Sequence, residues 1–387
     1  MTATAEGFVA KGYETVADAF TKTFAYNQAM GAAVSVLVDG ETVVDMWGGV
    51  ADVRTGLPWS ERTASVIFSC TKGLVAILAA QLMQVDRLDF DAPVAQYWPE
   101  FAQAGKSAVT VRNLLTHQSG LSAPRNTLTT ADVLKWATVI GHLERQAPLW
   151  SPGENHAYHA LTYGWLVGEV IRRVTGLSVG EAFRNLIAEP LAADAWIGLP
   201  SAEAARVAHL SVGDSLTTQL AELAAARPAG SIDWADRAMT LGAAFPAELV
   251  TETGGFNDPR IQAAQIPGAG AIATARALAT IWSATVTKTD GLRLLNDETV
   301  AETTRVQTEG PPVFGGSPPH NRWGTGFQLS SPPAQAFLGP TSFGHDGAGG
   351  QVAFADPHFR VGFAYITNVM EGGGDQRAAT VIRALHH

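Results

Sequence analysis

A serine and a lysine stand three residues apart in the stretch "VIFSCTKGLVAILAAQL", residues 66–82. If the apolar run is a helix beginning near Ser69, the side chains of Ser69 and Lys72 share one helix face, about 5 to 6 Å apart. A serine hydroxyl becomes a nucleophile when a neighbouring base takes its proton, and a buried lysine of lowered pKa is such a base. Unpaired N–H groups at the helix start can stabilise an oxyanion. The pair is therefore a candidate for acyl transfer.

The same segment also has an ordinary structural interpretation. Serine is a common N-cap, and a lysine in the first turn of a helix is usually a solvated surface residue. However, the stretch after Lys72 is almost uncharged, which predicts a helix that is buried nearly all round. Cys70 points away from the face that Ser69 and Lys72 share, so we expect an inert, buried thiol. This segment alone leaves the catalytic and the structural interpretations open.

A second serine stands in the pattern Gly-x-Ser-x-Gly at residues 176–180, which is typical of α/β-hydrolase nucleophiles. That motif requires a strand before the serine and a helix after it. Here the preceding segment has a helical pattern, Gly176 is predicted to be its C-cap, and Ser178 is predicted to form a capping box with Glu181. We therefore predict a structural role for Ser178.

Both ends of the chain carry the signals of an antiparallel sheet. Apolar residues alternate with others on both sides of Asp39-Gly40, a pair that favours a two-residue hairpin turn. Near the other end, two β-rich runs flank Asp356-Pro357 and are followed by a helical tail. Residues 9–27 carry apolar side chains at helical intervals, which predicts an amphipathic helix.

The segment between these ends has a different predicted secondary structure. Residues 73–200 have a mostly helical pattern, and Pro and Gly residues separate the predicted helices. The economical architecture is an α+β fold in which both chain ends build one antiparallel sheet flanked by helices, with a mainly helical lobe inserted. We predict a sheet domain of residues 1–72 and 266–387 and a helical domain of residues 73–265. Residues 201–265 are predicted to cover the seam where the catalytic groups would meet.

Length and composition limit the class of protein. A chain of 387 residues exceeds the roughly 250 to 300 over which one core keeps growing, so we expect two lobes. The formal net charge of -10, with scattered basic residues, argues against nucleic-acid binding. No apolar stretch approaches the ~20 residues of a membrane span, the N-terminus lacks a signal-peptide pattern, and a single cysteine suits a reducing compartment, so we expect a cytoplasmic protein. His156 and His159 lack a third ligand at recognisable spacing, so we assign no metal.

Five segments place the Ser69 motif in a wider pattern: "FSCTKG", "LDFDAPVAQYWPEF", "VTVRNLLTHQSGL", "WSPGENHAYHALTYGWLVGEVIRRVTG" and "GHDGAGGQVAFADP". In order and spacing they resemble the serine β-lactamase-like superfamily, which includes class C β-lactamases, DD-peptidases and, nearest in our interpretation, the family VIII carboxylesterases. The resemblance spans roughly residues 30–370 and implies the β-lactamase/DD-peptidase fold. It also implies that Ser69 is the acylated nucleophile and Lys72 its proton partner.

The resemblance implies a catalytic tyrosine as well. The family's Tyr-x-Asn motif aligns best with Tyr158, while Tyr163 is the competing candidate. A phenol near a lysine ammonium can share proton transfer with it, and the two groups would then titrate as a unit. We therefore expect Lys72 and Tyr158 to form the proton-transfer pair.

The family's Lys-Thr-Gly motif is represented here by His345, Asp346 and Gly347. By resemblance, His345 and Gly347 bind substrate, and the Ala348 amide is the second oxyanion donor beside the Ser69 amide. The Pro/Gly-rich segment 309–326 is predicted to be a surface loop with a role in the pocket, and its Trp323 is assigned to substrate binding.

Two departures from the β-lactamase pattern bear on the substrate. Ala160 replaces the asparagine that binds a lactam's side-chain amide, and His345 replaces the lysine that pairs with its carboxylate. We therefore expect a carboxylesterase for small or medium esters, with no cofactor and a small-molecule partner. A β-lactamase, D-aminopeptidase, oligoamide hydrolase or acyltransferase of the same fold, and an inactive binding protein on that fold, stay open as alternatives. The oligomeric state stays open too.

Overall fold

A computed structural model describes residues 5–386 except residues 28, 227–229, 231 and 317. Residues 1–4 of the predicted sheet domain and His387 therefore lie outside the described residues, as do four residues of the predicted cover segment. The strands are β1 (Ala5–Val9), β2 (Gly31–Val38), β3 (Glu41–Asp52), β4 (Leu57–Pro58), β5 (Ser65–Val66), β6 (Leu128–Thr129), β7 (Ala195–Ile197), β8 (Ser211–Val212), β9 (Gly242–Ala243), β10 (Ala271–Ala273), β11 (Arg322–Trp323), β12 (Gln328–Leu329), β13 (Phe343–Asp346), β14 (Val352–Asp356), β15 (Val361–Thr367) and β16 (Val369–Met370). The α-helices are α1 (Glu14–Thr23), α2 (Cys70–Gln84), α3 (Val111–Leu115), α4 (Thr130–Val133), α5 (Trp136–Arg145), α6 (Thr162–Thr175), α7 (Val179–Phe183), α8 (Asp214–Ala226), α9 (Trp234–Thr240), α10 (Pro259–Ala263), α11 (Ala275–Val286), α12 (Asp297–Thr304) and α13 (Arg377–Arg383).

An antiparallel sheet built from both ends of the chain carries the fold. Over the described residues it has nine strands in the order β1-β3-β2-β15-β14-β13-β12-β11, with β4 paired to β3. The hairpin predicted at Asp39-Gly40 joins β2 to β3, with Val38 opposite Glu41. The predicted turn at Asp356-Pro357 lies between β14 and β15. This sheet and its flanking helices confirm the predicted α+β fold class.

Alternation along the central strands buries both faces of the sheet. On β15, Phe363 and Tyr365 belong to an apolar cluster with residues of α1 and α13, and Phe20 of α1 packs edge-on against Tyr365 with ring centroids 6.3 Å apart. The intervening Ala364 and Ile366 belong to a larger cluster that includes α2 and α11. Successive strand residues point to opposite faces of the sheet, so β15 packs against a helical layer on each face.

The predicted helix over residues 9–27 is shorter in the structure, where α1 covers Glu14–Thr23 only. Residues 5–9 form β1 instead, and Val9 pairs with Val44 of β3. The local apolar spacing at residue 9 fits a helix, but pairing with the edge of the sheet satisfies the backbone of this segment and overrides it.

The helix α2 starts at the seam between the sheet and the helical part of the chain. Every residue of α2 except Gln81, Met83 and Gln84 is buried, as the uncharged sequence predicted. A small antiparallel sheet, β5-β10-β7, lies beside it and joins a strand of the predicted helical domain to two strands of the predicted sheet domain. The division into these two domains stays a prediction.

Candidate active site

Ser69 is the N-cap of α2, which begins at Cys70. The residue before it, Phe68, has a φ of +43°, in the left-handed region that L-residues seldom adopt. The buried Phe68 ring packs edge-on against Phe256, with centroids 5.3 Å apart. The Cys70 thiol is buried and donates to the His345 carbonyl at 3.2 Å. The Cys70 thiol therefore points into the protein interior, whereas the Ser69 side chain lies on the wall of a cavity.

The Lys72 amine is buried, and three oxygen atoms surround it. Its Nζ atom donates to the carbonyl oxygens of Ala160 at 2.6 Å and Gly268 at 2.7 Å, and it lies 3.0 Å from Ser69 Oγ. The two carbonyls can only accept, so they take two of the amine's hydrogens. The third position faces Ser69, where an ammonium would donate to Oγ and a neutral amine would accept the hydroxyl proton.

Burial lowers the pKa of Lys72 from its ordinary 10.5 to about 7. The Asp346 carboxylate and the Cys70 thiol oppose this shift. A fall of this size corresponds to about 5 kcal/mol against the ammonium form. At neutral pH a large fraction of Lys72 is therefore a neutral amine whose lone pair faces the Ser69 hydroxyl.

The two carbonyls reach Lys72 because α6 packs tightly against a loop that precedes β10. Gly164 lies in the first turn of α6, and a Cβ atom there would come within 2.0 Å of the Gly268 nitrogen. Only glycine permits this approach. Ala160 lies just before α6, so the same packing brings its carbonyl to the opposite side of the amine.

Tyr158 lies at the cavity beside Lys72. Its ring centroid is 4.7 Å from Lys72 Nζ, and its hydroxyl faces the Ser69 side chain. Desolvation raises the pKa of Tyr158 well above its ordinary value, so the group is a neutral phenol at neutral pH. Tyr163 is fully buried behind this layer, and its hydroxyl has no hydrogen-bond partner among the described residues. Of the two tyrosines considered from the sequence, Tyr158 is the one that the structure brings to Ser69.

Trp323 and His345 stand in different layers around Tyr158. The Trp323 ring stacks on the Tyr158 ring, with centroids 5.4 Å apart and planes 20° apart, and it lines the cavity. The His345 side chain is 1% exposed and lies behind the cavity wall, with its ring 6.0 Å from that of Tyr158. Its Nδ1 atom donates to the Asp346 carbonyl at 2.7 Å, and burial lowers its pKa. The imidazole is thus a neutral group that packs against the tyrosine.

Two backbone amides face the cavity next to the serine. Within the described ranges, neither the Ser69 nor the Ala348 amide donates a hydrogen bond to the protein. Ala348 lies in a tight turn that Gln351 holds, because its main-chain oxygen accepts from Gly347 at 2.7 Å and its side-chain oxygen accepts from Gly349 at 3.0 Å. A Cβ atom at Gly347 would come within 2.6 Å of the Ile67 carbonyl, so glycine lets this turn approach the strand before Ser69.

These groups surround a cavity of about 380 Å³. No lysine or arginine of the described chain lines it. The lining residues are Ser69, His156, Tyr158, Met239, Gly310, Pro312, Pro319, His320, Asn321, Trp323, Asp346, Gly347 and Ala348. Met239 belongs to α9 of the predicted cover segment, and six of the others belong to the loop 309–326 that the sequence predicted to have a pocket role.

Sequence reasoning missed several lining residues. Asp346 stands between two residues that the resemblance singled out, but its charge was not used. Met239 carries no local signal, because it belongs to no motif, and His156, two residues before Tyr158, was considered only as a metal ligand.

Ser178 has the structural role that the sequence predicted. Its hydroxyl accepts from the Glu181 amide at 3.3 Å, and the Glu181 carboxylate accepts from the Ser178 amide at 3.0 Å. Gly176 has a φ of +76° and ends α6. The Glu181 carboxylate also accepts from the Ser178 hydroxyl at 2.7 Å, but this hydrogen bond lowers the pKa of the carboxylate, so it is a much weaker base than the Lys72 amine beside Ser69. Over the part of the chain that the structure describes, no group of three or more His, Cys, Asp or Glu residues is arranged to hold a metal ion.

Comparisons with known proteins show the family and the fold of this chain. A family model described as "Beta-lactamase" matches residues 16–387. The "Esterase/beta-lactamase LipL" of Mycobacterium tuberculosis is 35% identical over 361 residues, which are 92% of this chain and 81% of the relative. A crystal structure of a family VIII carboxylesterase superposes with a TM-score of 0.87 at 33% identity, covering 99% of both chains. A penicillin-binding protein homologue from Caulobacter crescentus superposes with a TM-score of 0.87 at 34% identity, again over 99% of both chains. None of the described helices is long and apolar enough to cross a membrane.

Proposed function

The chain belongs to the beta-lactamase family, and from this premise we propose that it is a carboxylesterase that cleaves small or medium esters through an acyl-enzyme on Ser69. The observation that carries the proposal is the Lys72 amine, which is buried against two carbonyls with its remaining position 3.0 Å from Ser69 Oγ. A buried lysine of lowered pKa that also faces a serine hydroxyl is the base that a serine nucleophile needs.

Acylation begins when Ser69 Oγ attacks the ester carbonyl carbon. The Oγ–H bond breaks as the C–O bond forms, and the proton passes to the neutral amine of Lys72. The carbonyl oxygen becomes an oxyanion, and the amides of Ser69 and Ala348 are the donors available to it. Because both donors are held in place before the substrate binds, they need not reorganise during the reaction.

The intermediate collapses when the bond to the alcohol oxygen breaks. The Lys72 ammonium then returns its proton to the leaving oxygen, and the Tyr158 phenol lies where it can relay this proton. A water molecule next attacks the acyl carbon and gives its own proton to Lys72. Collapse of the second intermediate releases the carboxylic acid and restores the Ser69 hydroxyl.

The cavity supports an ester rather than a β-lactam as the substrate. A β-lactam brings a carboxylate and a side-chain amide, and the cavity has no lysine or arginine among its described lining residues to pair with the former. Ala160 has only a methyl side chain for the latter. The relatives with esterase names support the same choice, whereas the double name of the Mycobacterium relative makes β-lactam hydrolysis the second candidate.

A fluorophosphonate probe should label Ser69 and no other residue. The probe phosphonylates a serine whose proton is taken by a neighbouring base, and fluoride leaves as the phosphorus–oxygen bond forms. The label is located by peptide mass spectrometry, with Ser69→Ala as the unlabelled control. A label on the Ser178 peptide would contradict the mechanism, and an unlabelled wild-type protein would favour the inactive binding protein.

Tyr158→Phe should lower kcat by at least ~10²-fold, the usual scale of general acid–base catalysis. The variant keeps the ring that stacks on Trp323 and loses only the hydroxyl near Ser69. Tyr163→Phe is the matched control, since it removes a buried hydroxyl that has no partner within the described residues. It should keep near-wild-type activity in the same p-nitrophenyl butyrate assay. A larger loss in Tyr163→Phe than in Tyr158→Phe would show that the second motif is misaligned.

A further inference from the structure

The carboxylate of Asp346 lines the Ser69 cavity at the end of β13. Its side chain is 46% exposed, and its main-chain amide donates to the Gln328 side-chain oxygen at 3.1 Å, which holds the residue in register. Alternation along β13 places His345 in the protein interior and Asp346 toward the cavity. Asp346 is the one carboxylate among the described residues that line this cavity.

Asp346 has no lysine or arginine within ion-pair distance in the part of the chain that the structure describes. Among the described residues its one ion-pair contact is His345 Nδ1 at 3.5 Å, and that nitrogen already donates to the Asp346 main-chain oxygen at 2.7 Å. Burial lowers the pKa values of His345 and of His156 on the cavity wall, so neither supplies a cation at neutral pH. With no arginine or lysine on the described wall, Asp346 is the one carboxylate that a substrate meets there, and the partly protonated Lys72 lies behind Ser69 without forming an ion pair with Asp346.

We propose that Asp346 is a specificity-determining residue that selects ester substrates carrying a cationic ammonium group and disfavours those carrying a carboxylate. This inference rests on the proposed esterase function and names the substrate class of that same site. A partly exposed carboxylate attracts a cation that enters its cavity, and it repels an anion by a comparable amount. At about 7 Å and an intermediate effective dielectric, one such pair is worth roughly a tenfold preference.

The test compares pairs of esters that differ only in charge. On the alcohol side, acetylcholine is compared with 3,3-dimethylbutyl acetate; on the acyl side, p-nitrophenyl 4-(trimethylammonio)butanoate is compared with p-nitrophenyl 5,5-dimethylhexanoate. We expect the wild-type enzyme to prefer the cationic member of at least one pair by about tenfold in kcat/KM at low salt. Asp346→Asn should bring that ratio close to one, and added salt should reduce it in the wild type.

A ratio within one enzyme preparation does not depend on the fraction of folded protein or on changes in Lys72 that affect both esters alike. Glu371→Gln is the matched control, because Glu371 lines a neighbouring groove and does not line the Ser69 cavity. It should keep the wild-type ratio. Equal rates within both pairs, or a preference that survives Asp346→Asn, would overturn this inference alone. If none of the four esters is hydrolysed, neutral ones included, both the proposed function and this inference are contradicted.

Discussion

Lys72→Met is expected to lower kcat/KM for p-nitrophenyl butyrate by about 10³-fold or more. The substitution removes the base that takes the Ser69 proton and the acid that returns it to the leaving group. When several groups act as one unit in catalysis, removal of any one of them abolishes most of the rate enhancement that the unit provides. Residual activity would come from the two oxyanion amides and from substrate binding.

The fold should survive this change. Two opposing effects act on the free energy of unfolding: the carbonyls of Ala160 and Gly268 lose their donor, while the cost of burying an amine disappears. Lys106→Met is the matched control, since Lys106 is also a buried lysine whose amine donates to three main-chain carbonyls, with its pKa lowered by burial to about 8. It should keep near-wild-type kcat/KM. Comparable activity in Lys72→Met and Lys106→Met would contradict the assigned role of Lys72.

The wild-type pH profile provides a second measure of the same group. Lys72 must be neutral to accept the Ser69 proton, so kcat/KM should fall about tenfold per pH unit below the pKa of about 7 and level off above it. The pKa of Lys72 is lower in the folded state than in the unfolded chain, where 10.5 is ordinary. The unfolded chain therefore binds more protons between about pH 7 and 10.5, so this group's contribution to the unfolding free energy rises with pH across that interval. Lys72→Met should lose that dependence.

The second large effect is selectivity between esters and β-lactams. We expect kcat/KM for p-nitrophenyl butyrate to exceed that for nitrocefin by about 10³-fold. Each polar group of the lactam that enters the cavity without a partner costs ~1 to 3 kcal/mol, or about one to two decades in rate. The lactam carboxylate lacks a cation and also meets the charge of Asp346, while Ala160 offers its side-chain amide no partner.

An amide also demands more of the acid than an ester does. Its leaving nitrogen must be protonated as the intermediate collapses, whereas a phenoxide departs readily. Both substrates are measured with one enzyme preparation, and Ser69→Ala reports the background rate. Equal kcat/KM values for the two would favour the β-lactamase candidate.

Local patterns predicted the parts of the site that are local. The spacing of Ser69 and Lys72 put both side chains on one helix face, and the uncharged run after them predicted the buried α2. Alternation around Asp39-Gly40 predicted the first hairpin of the sheet. These patterns depend only on the helical and strand periods, so they can be recognised in a single sequence without any knowledge of tertiary contacts.

The rest of the site depends on contacts between distant segments. The carbonyl of Gly268 lies 196 positions from Lys72 along the chain, and a main-chain oxygen leaves no mark in the sequence. The burial of His345 and the approach of Met239 to the cavity likewise result from packing between elements. The β1 segment shows the converse, because its apolar spacing fits a helix while its pairing with β3 makes it a strand.

The position of β15 in the sheet has a consequence for how the protein folds. This strand lies between β2 and β14, so β2, which is synthesised well before β15, finds its second neighbour only when residues 361–367 have left the ribosome. Until then one edge of the β2–β3 hairpin is unpaired and apolar, which favours aggregation of incomplete chains. Such long-range pairing is also slow to form, because the loop must close before its contacts stabilise it. We therefore expect the nascent chain to need a chaperone until β15 has been synthesised.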